Sequence, residues 1–409
     1  MAVYKLENSI QNYKWGSVSA IPELLGIANQ EKEPMAELWM GAHPKLPSMM
    51  VKSDGETIPL NDYITSDPVR ILGEETERQF SGRFPFLFKV LAAGNPLSIQ
   101  VHPSLAQAKE GFARENAAGI SLDAFTRNYK DDNHKPEIIY ALSDFTAMRG
   151  FREPSEIATI FRKLGFEETA PVSDPLYDCP PDDLKIKLTE FFTALMNLSS
   201  ISKEEILEMA VDAAFGKWSE RGYGMETEAY WIRRFAKLYP GDIGILSPLY
   251  LNIVELKPGQ AMYLPAGELH AYLEGLGIEL MANSDNVLRG GLTPKNIDVP
   301  ELLSTLEFTA GRPEVLQVEE LTGCETGFST PAPEFFLSKI DLHGAYNLAD
   351  DESAGLPSIM LCVSGSVSMT DESGSVLEIS RGESVFTEYG SRLKLEGTGV
   401  LFRASVPGK

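Results

Sequence analysis

The sequence predicts a mainly β protein with an inserted helical block, and three observations carry that prediction. Short apolar runs broken by Gly and Pro fill the first hundred or so residues and return from Leu251 onward. Between them, residues 152–245 carry apolar positions at helical rather than alternating spacing. The last stretch, 315–409, keeps an even rhythm of strand and turn. At 409 residues the chain has room for two or three domains and needs no disulfide or metal merely to fold.

Taken in order, residues 84–91 form the strongest early strand, with Pro85 marking its beginning as an edge or entry. Residues 97–101 form a second strand between Pro96 and Pro103, and 103–110 open a short helix that Ser104 can cap. In the helical block, 153–164 carries a stripe of Ile157, Ile160 and Phe161. Residues 171–183, rich in Pro and Asp, read as a loop, and helical spacing returns over 184–198. Ser202 with Glu205 three residues on fits a capping box. A last helix over 227–238 ends at Tyr239-Pro240-Gly241. The C-terminal runs 359–363, 366–369, 375–379 and 384–387 suggest a closed or sandwiched antiparallel architecture. The turn Arg381-Gly382-Glu383 echoes Pro258-Gly259-Gln260, as a second copy of one small barrel would. No histidine follows Gly382, so this copy is expected to be metal-free, with His343 in a surface or packing role.

Hydrophobic residues make up 43% and charged residues 23% of the chain, an ordinary globular composition. The formal charge is -23, from 36 basic and 59 acidic side chains, which argues against nucleic acid or an anionic membrane as main partner. The three cysteines have no metal-binding spacing and fit a reducing compartment. The polar N-terminus does not read as a signal peptide and no apolar run reaches membrane-spanning length. A cytoplasmic protein is therefore expected.

With only five histidines in the chain, their placement is informative. His270 follows the turn Pro265-Ala266-Gly267, while Gln100 and His102 share one face of a strand by the period-two rule. Glu137 enters an apolar strand after Asn133-His134-Lys135-Pro136. Together Gln100, His102, Glu137 and His270 can form a metal site with one carboxylate. The competing reading has His102 capping the next helix and His270 packing in a barrel mouth. Glu279, between Ile278 and Leu280, can point into a cavity or outward to solvent. Arg289 and Lys295 flank a Gly-Gly turn and can clamp a phosphate, with Lys89 and Lys135 as further cations. Trp15 reads as core or cavity wall, and His43 and His134 as polar groups that can orient a ligand.

These blocks resemble the type I mannose-6-phosphate isomerases, zinc enzymes of the cupin superfamily. Gln100-Val101-His102-Pro103, His134-Lys135-Pro136-Glu137, the Pro265 to His270 turn, Asn283 to Lys295 and Asn12-Tyr13-Lys14-Trp15-Gly16 match in order and spacing over essentially the whole chain. A terminal Asn usual in the second cupin motif is Glu274 here, at a position that is not a ligand. The resemblance implies cupin (jelly-roll) barrels with an inserted α-helical domain. The catalytic cupin domain would span 1–151 and 246–314, the helical insert 152–245, and a metal-free cupin-like domain 315–409. It implies one zinc per chain held by Gln100, His102, Glu137 and His270. Arg289, Glu279 and Lys295 would be catalytic, and Ser98, Lys89, Lys135 and Trp15 would line the substrate site. The implied activity is interconversion of mannose 6-phosphate and fructose 6-phosphate through an enediol, by a monomer binding neither nucleic acid nor membrane. A non-catalytic metal-binding sugar-phosphate sensor is the alternative. An iron cupin fits less well, given Gln100 and the cations Arg289 and Lys295.

Overall fold

A computed structural model describes residues 3–52, 54–218, 224–348 and 355–408. The organising element is the long strand His270–Ala282. Its second half lies between Phe86–Ala93 and Glu137–Ala141, antiparallel to both. Its first half pairs with Phe145–Phe151 and, at His270, with Gln100 of the strand Ile99–Val101. The change of partners falls at Gly275. Its φ is 130°, and a Cβ there would stand 2.7 Å from the Asp144 carbonyl oxygen, so only glycine lets the strand pass.

Glu37–Gly41 and Ser9–Gln11 extend this sheet beyond Phe86–Ala93, and Leu251–Leu256 extends it beyond Phe145–Phe151. Ala261–Leu264 pairs with Glu137–Ala141, and Leu288–Gly291 with Ile99–Val101. Strands from before and after the helical block thus share one ten-stranded sheet. The expected early strand begins at Phe86, past Pro85, and every one of its residues is buried, Lys89 included.

A second ten-stranded sheet holds the C-terminal strands. The expected runs 359–363 and 366–369 are one strand, Ser358–Asp371, with a bulge between Cys362 and Ser364 and Gly365 at φ 77°. The N-terminal strand Val3–Glu7 joins this sheet by pairing with Ser384–Thr387, and brings Met49–Val51 and Thr57–Pro59 with it. The fold is thus mixed α/β. Among the described residues no pairing closes either sheet into a ring, so the expectation of mainly β barrels is met only at the coarser level of two large antiparallel sheets.

The echoed turn is repeated contact by contact. Gly259 and Gly382 take φ of 98° and 89°. Gly259 N donates to Ala141 O (3.0 Å) and Gly382 N to Cys362 O (2.8 Å), and those same two residues donate back to Gln260 O (2.9 Å) and Glu383 O (3.0 Å). Gln260 Oε1 accepts from Lys257 N, and Glu383 Oε2 from Ser380 N, each at 2.7 Å.

Four longer helices fill the block: Pro154–Leu164, Leu184–Met196, Ser200–Asp212 and Glu226–Leu238. Ser199, not Ser202, caps the third, its Oγ accepting from Ser202 N at 3.1 Å; Ser202 lies inside the first turn. Residues 171–183 are not a plain loop. They contain most of the short helix Ala170–Ser173 and the single turns Asp174–Leu176 and Pro181–Asp183, with proline near the start of each. Ahead of the block, Ser104 caps Leu105–Ala117 in a full capping box with Gln107. The block shares one apolar core with Ile99, Val101 and Leu288, around Phe151, Phe192 and Phe308. Because side chains alternate along a strand, burying Ile99 and Val101 against helices turns Gln100 and the residue after Val101 to the opposite face. Among the described residues no helix is long and apolar enough to cross a membrane.

Candidate metal centre

His102, Glu137 and His270 converge in the first sheet, with their ligand atoms within 4.8 Å of one another and all three side chains essentially inaccessible to solvent. His102 Nε2 lies 3.2 Å from Glu137 Oε1, and His270 Nε2 lies 3.6 Å from Glu137 Oε2. Each imidazole has its other nitrogen on a backbone carbonyl: His102 Nδ1 on Asn286 O at 2.7 Å, His270 Nδ1 on Glu268 O at 3.0 Å. Those bonds set the tautomer and leave both Nε2 lone pairs facing the carboxylate. The turn before His270 is tied to the early ligand, since Gly267 N donates to His102 O at 2.9 Å.

Among the described residues no hydrogen bond completes this convergence, although the Lys135 ammonium lies 2.7 Å from Glu137 Oε1. His102 Nε2, His270 Nε2 and Glu137 Oε1 are buried without a hydrogen-bond partner, a cost that proteins do not carry without cause. Burial, and then Lys135, push the His102 imidazole down to about 4, so it is neutral. Burial alone would raise the Glu137 carboxyl, but Lys135 and His102 hold it well below the carboxylate range, so it is ionised. Two imidazoles and one carboxylate suit a catalytic zinc ion, and the residues present fit that ion. Gln100 is the ladder neighbour of both His270 and Arg289, which makes a row of three across adjacent strands.

Beside this centre opens a cavity of about 420 Å³. A larger groove of about 1050 Å³ runs between the helical block and Leu251–Leu256, away from the ligands. Glu279 faces the smaller cavity, not solvent, and Lys89 Nζ lies 2.8 Å from its Oε2 and 3.4 Å from Glu37 Oε1. The Glu279 contact is an ion pair lacking hydrogen-bond alignment, because that oxygen is otherwise unpartnered. Burial raises the Glu279 carboxyl, Lys89 opposes this, and Glu137 and Glu37 add to it. Burial also works against the Lys89 charge, but Glu279 and Glu37 outweigh it and hold the ammonium above its usual range. Lys135 Nζ is 2.7 Å from Glu137 Oε1.

Ser98, Arg289 and Lys295 line the same cavity. So does Trp15, which stacks on Tyr13 with ring centroids 5.7 Å apart and packs against apolar core. The other histidines lie apart from the ligand group. His43 Nε2 is 3.4 Å from Asp285, His134 Nε2 is 2.6 Å from Glu334, and His343 is exposed.

Several contributors escaped the sequence reading. Tyr272 donates to Glu137 Oε2 at 3.1 Å, and Trp39 Nε1 donates to Glu37 at 2.8 Å beside Lys89. Tyr272 stands two residues past His270 on one strand, a period-two signal that was available. Glu37 and Trp39 become visible only when their strand is placed beside Lys89. The second sheet does not repeat these side chains at the matching places. Counted from the repeated turn, Ser358 occupies the place of Glu137, and Arg403 the place of Glu279.

The family model for the catalytic domain of type I phosphomannose isomerase matches residues 3–154. Over 404 residues the chain is 44% identical to the mannose-6-phosphate isomerase of Escherichia coli, covering 98% of each. The human enzyme of that name is 32% identical over 433 residues, covering 98% of each. A crystal structure of a Salmonella typhimurium phosphomannose isomerase variant superimposes with a TM-score of 0.89 at 40% identity, covering 99% of this chain and 100% of that one. A zinc-bound mannose 6-phosphate isomerase does so with a TM-score of 0.87, again at 40% identity and the same coverage.

Proposed function

The chain belongs to the type I mannose-6-phosphate isomerases, zinc-dependent aldose–ketose isomerases of mannose 6-phosphate and fructose 6-phosphate, and from that premise we propose how its own residues carry the reaction. One zinc per chain is held at His102, Glu137 and His270. In our reading Gln100 completes the set with a neutral oxygen, which leaves the site one carboxylate and keeps the ion's positive character. When bound, zinc supplies Lewis acidity toward substrate oxygens.

The isomerisation moves a proton from C2 of the open aldose to C1 through an enediol. Glu279 is the base we assign to that transfer. Burial raises its carboxyl above the usual carboxylate range, while Lys89 opposes that rise and favours the anion. Arg289, beside Gln100 on the ladder, faces the reacting oxygens and offsets charge that develops there. Lys135 and Lys89 neutralise the two buried carboxylates and, with Ser98, hold hydroxyl groups. Trp15 walls the sugar's apolar face, and Lys295, at the mouth, meets the phosphate. Holding the phosphate there lets remote binding energy position a scarce open-chain sugar.

The observation that carries this reading is the buried convergence of His102, Glu137 and His270 next to Glu279. A coupled isomerase assay on the metal-depleted and zinc-restored enzyme tests it. Turnover is expected to vanish and return, and a Glu279→Gln variant is expected to keep its zinc but lose turnover. Near-normal turnover in that variant with intact zinc would remove Glu279 as the base. Turnover untouched by chelation would remove the metal from the mechanism.

The repeated turn supports reading the two sheets as divergent copies of a cupin jelly roll. The first would be discontinuous over 1–151 and 246–314 around the helical insert 152–245, and the second, over 315–409, metal-free. The N-terminal strand amends that division, since it is lent to the second sheet. The formal charge of -23 supports a protein acting free of nucleic acid and membrane. A cytoplasmic monomer is the same reading carried further, and sedimentation at micromolar concentration tests the monomer.

A further inference from the structure

Six cations line the cavity beside the metal centre: Lys45, Lys89, Lys130, Lys135, Arg289 and Lys295. Three are paired: Lys45 with Asp285, Lys89 with Glu37 and Glu279, and Lys135 with Glu137. Among the described residues, Lys130, Arg289 and Lys295 have no carboxylate within ion-pair distance. In a chain with 59 acidic side chains, three neighbouring cations without an anion mark a place where a ligand brings the negative charge. The environment of Lys295 and Lys130 is consistent with this. Lys295 is held below its usual range by burial and then by Arg289 and Lys130, and Lys130 by burial and then by Lys45.

Lys130 has a further feature. Its main chain is fixed to the metal centre through Asn286, which is fully buried. Asn286 Oδ1 accepts from Lys130 N at 2.6 Å, and the Asn286 carbonyl meets His102 Nδ1 at 2.7 Å. Its side chain, by contrast, is parked on a neutral acceptor, with Nζ 2.5 Å from the Leu122 carbonyl oxygen. That acceptor is neutral, so the ammonium has donors to offer an anion, while Asp123 and Glu115 act on its charge only from beyond ion-pair distance. The backbone is therefore set at a fixed place relative to His102 while the ammonium is available to an anion.

We propose that Lys130 is a phosphate-recognition residue, which with Lys295 closes on the substrate's phosphate at the cavity mouth. This rests on the reading that Lys295 meets the phosphate there. Two ammonium groups lining one cavity suit a dianion, whose oxygens accept from several directions. Lys130 touches no reacting carbon in this assignment, so it sets affinity and phosphate preference, not the chemical step.

Steady-state kinetics on the zinc-loaded full chain test it, with inorganic phosphate as competitive probe. Lys130→Ala is expected to raise KM for mannose 6-phosphate and the inhibition constant of phosphate by about tenfold each. It should leave kcat within about twofold and zinc content unchanged, and Lys130→Arg should recover most of the loss. Lys109→Ala, which removes an exposed lysine nearby, is expected to change neither constant. If Lys130→Ala moves both constants no more than Lys109→Ala does, the inference is overturned. If it loses zinc and kcat instead, Lys130 is only a post for the metal centre and the inference also fails. Lys295→Ala in the same assay separates the two layers. Should it leave both constants unmoved, the phosphate does not sit at this mouth and the underlying reading falls with the inference.

Discussion

Lys89 and Glu279 face one another across the strands Phe86–Ala93 and His270–Ala282, with 2.8 Å between ammonium nitrogen and carboxylate oxygen and both side chains buried. Burial favours the neutral acid and Lys89 favours the anion, so the position of the Glu279 titration is a balance between them. A base must be deprotonated to act, so activity falls as pH drops through the raised Glu279 value. Replacing Lys89 by Met removes the opposing influence and raises that value further. The acid limb of kcat/KM is expected to move to higher pH in Lys89→Met, read from a pH profile at saturating zinc. In Glu279→Gln, kcat should drop by about 10²–10⁴-fold.

Zinc binding should depend on His270 more than on the stability of the fold around it. His270→Ala is expected to retain less than about a tenth of the wild-type zinc after dialysis, by elemental analysis. Removing one of few ligands costs the ion a large share of its binding energy. Added zinc should raise the Tm of the wild-type chain and leave that of His270→Ala nearly unmoved, because stabilisation by a ligand follows its affinity.

The turn that presents His270 needs glycine at 267. Its φ is 80°, and a Cβ there would stand 2.6 Å from Glu307 Cγ, a flexible neighbour able to give way, so the backbone conformation dominates the cost. Gly267→Ala is expected to lose about 1–2 kcal/mol in denaturant unfolding. It should also weaken zinc binding, because the same residue's N–H holds the His102 carbonyl.

In the second sheet, Glu325 accepts from Ser338 Oγ at 2.5 Å and Tyr346 OH at 2.7 Å, with Arg403 at 3.6 Å. Glu325→Ala removes the acceptor of Ser338 Oγ and the carboxylate beside buried Arg403, and is expected to cost about 3–5 kcal/mol. KM and zinc content at a permissive temperature should stay as in the wild type, since Ser358 and Arg403 replace the ligand and base positions of the first sheet.

Much of the His102, Glu137 and His270 cluster is legible in the sequence. His102 directly follows the strand Ile99–Val101, His270 follows a Pro-Ala-Gly turn, and Ser104 announces its helix. Each signal sits within a few residues, where backbone torsion and local hydrogen bonding decide conformation. The third helix of the block shows the limit of such signals. The sequence points to Ser202 as the cap, whereas the helix begins at Ser200 with Ser199 as its cap and Ser202 in the first turn. Tyr272, Glu37, Asn286 and Lys130 were not singled out, because their roles arise from partners 52 to 184 residues away in sequence.

By itself, the sequence determined the family, the ligand types and the order in which strand-rich and helical stretches follow one another. Tertiary structure alone decided that Glu279 faces a cavity and shares Lys89 with Glu37, and that Lys130, Arg289 and Lys295 line that cavity with no carboxylate at ion-pair distance among the described residues. It also placed the N-terminal strand in the C-terminal sheet, with Val3 opposite Thr387. The reason is physical. Torsions and turns are set by neighbours along the chain, whereas which strands lie side by side is set by burying the apolar faces of the whole molecule at once. Register then places charges from distant segments together and fixes their protonation.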